Sequence, residues 1–393
     1  MKILKKLIFA FIQKIRTKLI SYHVKCRVQS FKASPQVWQF DIFSDSARQF
    51  LSLLRIPGGF EYRYSVSCDK PTLYASAYSC MTLSLLGDLE NLPREMKYDW
   101  CKYFDSFQSA DDGLFYDPLL DSTLYRTSDW WGARHLALHM ISAYTDLGGK
   151  PKYPFIFLQD YYNVEYISQW LDDFDWLGTV GLHDDIDNKI MNIGCLLQYQ
   201  RDTWTDKKAG LAVVYLQNYL AERINPETGM WGYGYDMEDP HQRSRAVQFA
   251  YHLYPIFFYD KITIPNLRRA IPYVLKTQNS LGGFGVSLNS SACEDIDSID
   301  ILVRSSYLFP EYKSKIDEAL RKAFKWVLCN QVEDGGFVFR LEEKFVYGHK
   351  EMTSEINCGA LFPTWFRCLS LAYLARYFNL DGFKINFAPG LEN

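Results

Sequence analysis

Cys293-Glu294-Asp295-Ile296-Asp297-Ser298-Ile299-Asp300 places four carboxylates within seven residues. A helix cap needs one acid, so this density exceeds what capping requires. Crowded carboxylates raise one another's pKa, and one of them can then stay protonated near neutrality and serve as an acid. A second constellation is Asp129-Trp130-Trp131-Gly132-Ala133-Arg134-His135-x3-His139. His135 and His139, four apart, share a helix face. Two imidazoles without a third local ligand read as core histidines satisfied by neighbours, with metal binding the alternative. Trp130 and Trp131 suit stacking on a sugar or a prenyl chain, or filling of the core. A third is Trp231-Gly232-Tyr233-Gly234-Tyr235, followed by His241, Arg243, Arg245, Tyr251 and His252. Two guanidiniums and an imidazole beside an aromatic loop suit an anionic substrate, a diphosphate or a uronate. The alternative is a solvated basic face.

The elements that must hold these groups repeat. A glycine-plus-aromatic turn recurs at Gly58-Gly59-Phe60, Gly113-Leu114-Phe115, Gly229-Met230-Trp231, Gly282-Gly283-Phe284 and Gly335-Gly336-Phe337, with a degraded copy at Gly178 to Gly181. Amphipathic helical patterns precede the turns, clearest over 209–224, 265–278 and 316–331. More uniformly apolar ones follow, over 72–86, 130–147, 186–199, 244–258, 298–309 and 359–377. A helix that is apolar nearly all round is a buried one. The pattern therefore predicts an all-α fold, a single (α/α)6 toroid: outer helices alternate with inner helices around a central cavity. Residues 40–385 form the toroid and residues 1–32 precede it as an arm. Acids recur at the expected starts of inner helices: Asp69, Asp129, Asp184 with Asp185 and Asp187, Asp239, Glu294 with Asp295 and Asp297, and Glu355. Each suits an N-cap, and together they would ring one mouth of the cavity.

Gln278-x3-Gly282-Gly283-Phe284 and Gln331-x2-Asp334-Gly335-Gly336-Phe337 resemble the QW-type repeats of the terpene cyclase and protein prenyltransferase toroid superfamily. Thr364-Trp365-Phe366-Arg367-Cys368-Leu369-Ser370-Leu371 is similar to the inner-helix segment that follows such a turn there. Asp295-Ile296-Asp297-Ser298 resembles the DxDD motif of class II terpene cyclases, whose middle Asp protonates an alkene or epoxide while aromatic rings steady the carbocation. The resemblance implies Asp297 as proton donor and Asp295 as its partner, with Glu294 and Asp300 beside them. Ser298 stands where the final Asp is expected, and the chain has room for one toroid where class II cyclases usually pair two. The zinc site of protein prenyltransferases, built from Asp, Cys and His, is not matched: Ile299 stands two residues after Asp297, where a Cys is expected. Glycan-active hydrolases and lyases use related toroids. In the sugar-acid lyases, Asn, His, Tyr and Arg neutralise a carboxylate and move the α-proton, roles open here to Asn192, His252, Tyr251 and Arg245.

Composition narrows the remaining classes. There are 28 Tyr, 27 Phe and 10 Trp in 393 residues, more rings than one core needs, so many of them line something. Mean hydropathy is −0.20 and the longest N-terminal apolar run is Leu7 to Ile12, which excludes a polytopic membrane protein. The first 32 residues carry nine basic side chains and no acid, leaving 34 basic against 46 acidic over the rest. An acidic body argues against nucleic acid as a partner. Leu4, Leu7, Ile8, Phe11, Ile15 and Leu19 follow helical spacing, which suits either an interfacial helix on an anionic membrane through residues 1–20 or a helix packed on the body. Nine cysteines without a CxxC fit a reducing, cytoplasmic setting. No metal is expected, and no cofactor beyond Mg2+ should the substrate carry a diphosphate. Function then stands between a class II terpene cyclase-like enzyme acting on an isoprenoid, a glycan-active hydrolase or lyase, and a non-catalytic binding toroid. The substrate-contacting set expected is Trp130, Trp131, Arg134, His135, Trp231, Tyr233, Arg243, Arg245 and His252.

Overall fold

The glycine-plus-aromatic turns close in a shared way. Gln108, Gln278 and Gln331 each donate an Nε2–H to a turn glycine's carbonyl, on Gly113 (2.8 Å), Gly282 (3.0 Å) and Gly335 (2.9 Å). Each also forms an antiparallel bridge to the turn's aromatic residue, Phe115, Phe284 or Phe337. Gly335 sits at φ +88°, and a Cβ there would lie 2.1 Å from the Ser46 carbonyl oxygen, so the turn requires glycine. The Gln spacing at 278 and 331 extends to Gln108, whose glycine lies one residue further on.

The computed structural model describes residues 2–385, with side chains from residue 15 onward. In chain order the helices begin with α1 (Lys2–Ser30), α2 (Phe40–Leu54), α3 (Leu73–Leu85), α4 (Arg94–Asp105) and α5 (Thr123–Thr127). They continue with α6 (Ala133–Leu147), α7 (Val164–Asp172), α8 (Ile186–Trp204), α9 (Lys207–Glu222) and α10 (Pro240–Tyr259). The last are α11 (Leu267–Lys276), α12 (Ala292–Leu308), α13 (Lys313–Cys329) and α14 (Leu361–Tyr377). α3, α6, α8, α10, α12 and α14 pack each on the next, and α14 returns to α3, closing a ring. These inner helices are buried on nearly every side, whereas α4, α7, α11 and α13 bury one stripe. The fold is therefore an all-α toroid. Among the described residues one short ladder interrupts the helices: β1 (Phe345–Val346) pairs antiparallel with β2 (Thr353–Ser354).

Helix starts differ from the expected ones in an informative way. α12 begins at Ala292, six residues before the expected Ser298, because Ser291 and Glu294 form a reciprocal capping box. The acid cluster consequently lies inside the helix. α3 is capped by Thr72 and α10 by Asp239, while Glu355 pairs with Lys344 instead of capping. Acids thus do not cap every inner helix.

α1 docks by its second half. Val24 and Val28 are buried, and Arg27 donates to the carbonyls of Cys329 (2.9 Å) and Gln331 (2.6 Å) at the end of α13. Ile15, Leu19 and Tyr22 stay exposed. The interfacial face expected over residues 1–20 rests mainly on side chains 1–14, which lie outside the described residues.

Asp295 is the node that joins the wall. Its Oδ1 accepts from the Phe284 amide and the Ser290 hydroxyl (both 2.8 Å). Its Oδ2 accepts from Trp326 Nε1 (2.7 Å) and the Arg367 guanidinium (2.6 Å). One carboxylate thereby ties the Gly282–Phe284 turn to α13 and α14, and both charges of the ion pair are fully buried. Removing one member of such a pair leaves the other uncompensated, at a cost of about 3–5 kcal/mol. Asp295→Ala should therefore lower unfolding free energy by about that amount in denaturant titrations. Asp295→Ala combined with Arg367→Met should recover part of it, and a loss below about 1 kcal/mol in the single variant would show that the node is not structural.

Candidate active site

The amino-terminal halves of α6, α8, α10, α12 and α14, with the β1 segment laid across them, enclose a cavity of about 660 Å³. One wall is a run of rings. Tyr347 stacks on Phe362 (4.4 Å between centroids), Phe362 meets Phe366 (4.5 Å), and Phe366 meets Trp365 (4.6 Å). Phe339 stacks on Phe345 at 4.1 Å, and Trp130 sets its edge on Tyr347. β1 can lie this close because Gly348 follows it at φ +74°, where a Cβ would fall 2.4 Å from the Trp131 ring.

Asp297 is the one acid of the α12 cluster that lines this cavity. It is 2% exposed, and among the described residues its carboxyl has no hydrogen-bond or ion-pair partner. Burial pushes that carboxyl well above the usual carboxylate range, and the negative charges of Glu294 and Asp187 push it further, against a pull from Arg245. Two residues along a helix turn the side chain through about 200°. Asp295 accordingly faces the wall and Asp297 the cavity.

Across the cavity, α8 and α10 hold an ionic network. Asp187, in the first turn of α8, is fully buried. Arg245 grips both of its oxygens (2.7 and 2.6 Å), and His252 Nδ1 lies 2.6 Å from Oδ2. Arg245 and His252 are seven apart on α10, two turns along one face. Burial alone would raise the Asp187 carboxyl; His252 and Arg245 outweigh it and hold it below the usual range. Arg245 also donates to the carbonyls of Gly181 (2.7 Å) and Asp184 (3.1 Å), so its fork is committed to the protein. Asp187 enters the sequence reading only as one of many helix-start acids, because its partners lie about sixty residues away.

His135 and His139 line the cavity beside the rings, with their Nε2 atoms 3.3 Å apart. Tyr74 and Tyr347 hydroxyls approach His135 Nδ1 at 3.1 and 3.5 Å. Burial pushes the His139 imidazole down to about 3 and His135 well below its ordinary value, the neighbouring imidazoles adding to the latter. Both rings are neutral, and one donates to the other.

Of the expected site residues, Asp297, Trp130, His135, Arg245 and His252 line one cavity. The others do not, each for a visible reason. Asp295 serves the wall. Glu294 caps α12 and binds Arg340 (2.7 Å), and Asp300 is buried against Arg304 (2.7 Å). Trp131 is a core ring stacked on Tyr74, and Arg134 pairs with Asp129 (3.3 Å). Trp231 is buried with its Nε1 on the Leu220 carbonyl, Tyr233 is on the surface, and Arg243 folds back onto the carbonyls of Met237 and Glu238. The loop motif Trp231 to Tyr235 thus belongs to outer-layer packing. Asn192 donates to the Asp129 carbonyl (2.7 Å) and does not line the cavity beside Tyr251. Sequence reading missed Asp187, Tyr347 and the rings of 339–366. Among the described residues no three His, Cys, Asp or Glu side chains converge as metal ligands.

No protein-family model and no curated protein matches the chain. Solved structures do. A type II terpene cyclase from Scytonema, in complex with geranylgeranyl dihydroxybenzoate as substrate, is 12% identical over 86% of this chain and 98% of that one, with a TM-score of 0.51. A polysaccharide lyase (12% identity, 86% and 98% coverage, TM-score 0.45) and a family 88 glycosyl hydrolase from Bacteroides vulgatus (10%, 86% and 100%, TM-score 0.46) are also similar. Likeness at such identities speaks to the fold, the α/α toroid.

A second cavity, of about 640 Å³, opens at the opposite end of the barrel between the carboxy-terminal halves of α3, α6 and α14, and shares Ser142 and Trp365 with the first. Asp146 lines it, and burial pushes its carboxyl up to about 7 against a hydrogen bond from Ser84. The unfolded carboxyl titrates near 3.8. Between those values the folded state holds the extra proton, so this group's contribution is full below pH 4 and is lost as pH rises towards 7. The loss is on the order of 2–4 kcal/mol. Comparing wild type with Asp146→Asn by denaturant titration from pH 4 to 8 should show the variant's stability falling less over that window; parallel profiles would mean Asp146 is solvated.

Proposed function

We propose that this toroid is an enzyme that protonates an isoprenoid alkene or epoxide at Asp297 and lets the resulting cation cyclise or isomerise within the ring-lined cavity. The observation that carries this reading is the isolated Asp297 carboxyl: buried, unpartnered and lining a cavity with aromatic rings, where burial and neighbouring anions push it up. A carboxylic acid in that state keeps its proton at neutral pH, as a general acid must. The facing rings attract a developing cation by their quadrupoles, worth about 0.5–2 kcal/mol each. A cavity of this size suits a ligand of a few tens of heavy atoms. The geranylgeranyl dihydroxybenzoate bound by the terpene cyclase of similar fold is a ligand of that kind.

The polar features bear on the substrate's head. Arg245 is the one guanidinium at the cavity among the described residues, and four of its N–H donors are already engaged, both ends of the fork among them. A diphosphate or a uronate would find no free fork there, which supports a substrate without either group and a reaction without Mg2+. The lyase set is also incomplete at the cavity, since Asn192 is bonded elsewhere.

Asp297→Asn preserves shape and removes the proton. The expected result is an unchanged melting temperature and a loss of turnover of about 10²–10⁴, measured on geranylgeraniol, a geranylgeranyl-substituted phenol and an unsaturated-uronate oligosaccharide. Turnover that survives in Asp297→Asn removes the acid role, and turnover confined to the uronate substrate moves the chain to the glycan-active class.

A further inference from the structure

We propose that His252 is the base that ends the reaction, taking a proton from the final carbocation through Nε2, with Asp187 as its positioning residue. This rests on the isoprenoid reading above and names a second catalytic group for it.

The geometry is that of an oriented imidazole. His252 lines the cavity, its Nδ1 is fixed 2.6 Å from Asp187 Oδ2, and among the described residues its Nε2 has no hydrogen-bond partner. A carboxylate on one nitrogen fixes the proton there and leaves the other nitrogen as an acceptor. Arg245 holds Asp187 by both oxygens, so the carboxylate cannot swing away. His252 interacts with Asp187 from α8 and His135 from α6, Arg245 on its own helix holds the same Asp187, and Asp297 from α12, Tyr251, His183, Asp184 and Asp185 line the same cavity.

The step balances. Asp297 gives its proton to a substrate carbon: the O–H bond breaks with its pair left on the carboxylate, the alkene π pair becomes the new C–H bond, and the other alkene carbon is left a cation. After rearrangement, His252 Nε2 removes a proton from a carbon next to the final cation, and that C–H pair becomes the new C=C. The imidazolium proton leaves through the cavity mouth, Asp297 is reprotonated from solvent, and the reaction is a net isomerisation.

His252→Gln should slow consumption of the polyprenyl substrate without abolishing it, because initiation belongs to Asp297. Its products should spread from one alkene to several alkenes and water-quenched alcohols, read by gas chromatography and mass spectrometry. Asp297→Asn, run beside it, should consume nothing. An unchanged product from His252→Gln with an inactive Asp297→Asn would overturn the base assignment alone, as would loss of all consumption in a folded His252→Gln. Wild type that consumes neither polyprenyl substrate would overturn the isoprenoid reading and this one with it. Nitrogen-15 spectra of the wild-type imidazoles supply a readout free of activity and of variant folding. A bare Nε2 on His252 is expected, moving towards the other tautomer in Asp187→Asn, and a protonated Nε2 at neutral pH would overturn the proposal.

Discussion

The buried pair of Asp295 and Arg367 is the constraint on which the active-site wall depends. Arg367 is fully buried on α14 and also donates to the carbonyls of Val338 and Phe339, the latter a cavity ring. The same charge pair that joins α12 to α14 therefore also places the strand-bearing segment that roofs the cavity. A buried guanidinium is tolerated only where anion and carbonyl acceptors meet most of its donors, and here they come from α12 and the segment leading to β1. The wall is consequently assembled as a unit.

That constraint explains why two acids two residues apart have different fates. Helical periodicity sends Asp295 and Asp297 to opposite faces. With Asp295 fully engaged by Arg367, Trp326, Ser290 and the Phe284 amide, its charge adds to the push on Asp297 less than those of Glu294 and Asp187 do. Asp297 is left buried at the cavity with no donor and with the charges of Glu294 and Asp187 acting on it, the condition that pushes a carboxyl up. The DxD spacing separates a structural carboxylate from a free one; it does not create a dyad.

Much of the fold is legible in the sequence because its signals are local. A glycine needed at positive φ, the Gln that closes its turn, and inner helices without a polar face can each be read within a dozen residues. The boundary errors have local causes as well, as with Ser291, whose capping box moves the start of α12 six residues back. The site is less legible because its logic is long-range. Asp295 finds Arg367 72 residues on, and Asp187 finds Arg245 58 residues on. From sequence alone the first looks catalytic and the second like a cap. Trp231 and Tyr233 mislead in the opposite direction: Trp231 is wedged between the Leu220 carbonyl of α9 and the rings of Phe249, Tyr254 and Phe257 on α10, and Tyr233 lies on the surface, so this aromatic turn signals the repeat and not the ligand.

Asp297 and Asp187 carry this furthest. Both are buried and both belong to inner helices, Asp297 lining the cavity and Asp187 lying behind its lining, yet burial and partners drive their carboxyls apart. Asp297 has no donor and is pushed well above the usual carboxylate range. Asp187 has an Arg and a His and is held ionised. A cavity lined by a raised carboxyl on α12, an anion-backed imidazole on the neighbouring α10 and the rings of α14 and β1 brings an acid, a base and cation-attracting faces to one chamber. A binding toroid has no need of the unpaired Asp297, whose replacement by an apolar side chain of similar volume would strand no partner, whereas Asp187 cannot be removed without leaving Arg245 uncompensated. One carboxyl pushed up and one held down is the arrangement that the proposed acid–base chemistry needs.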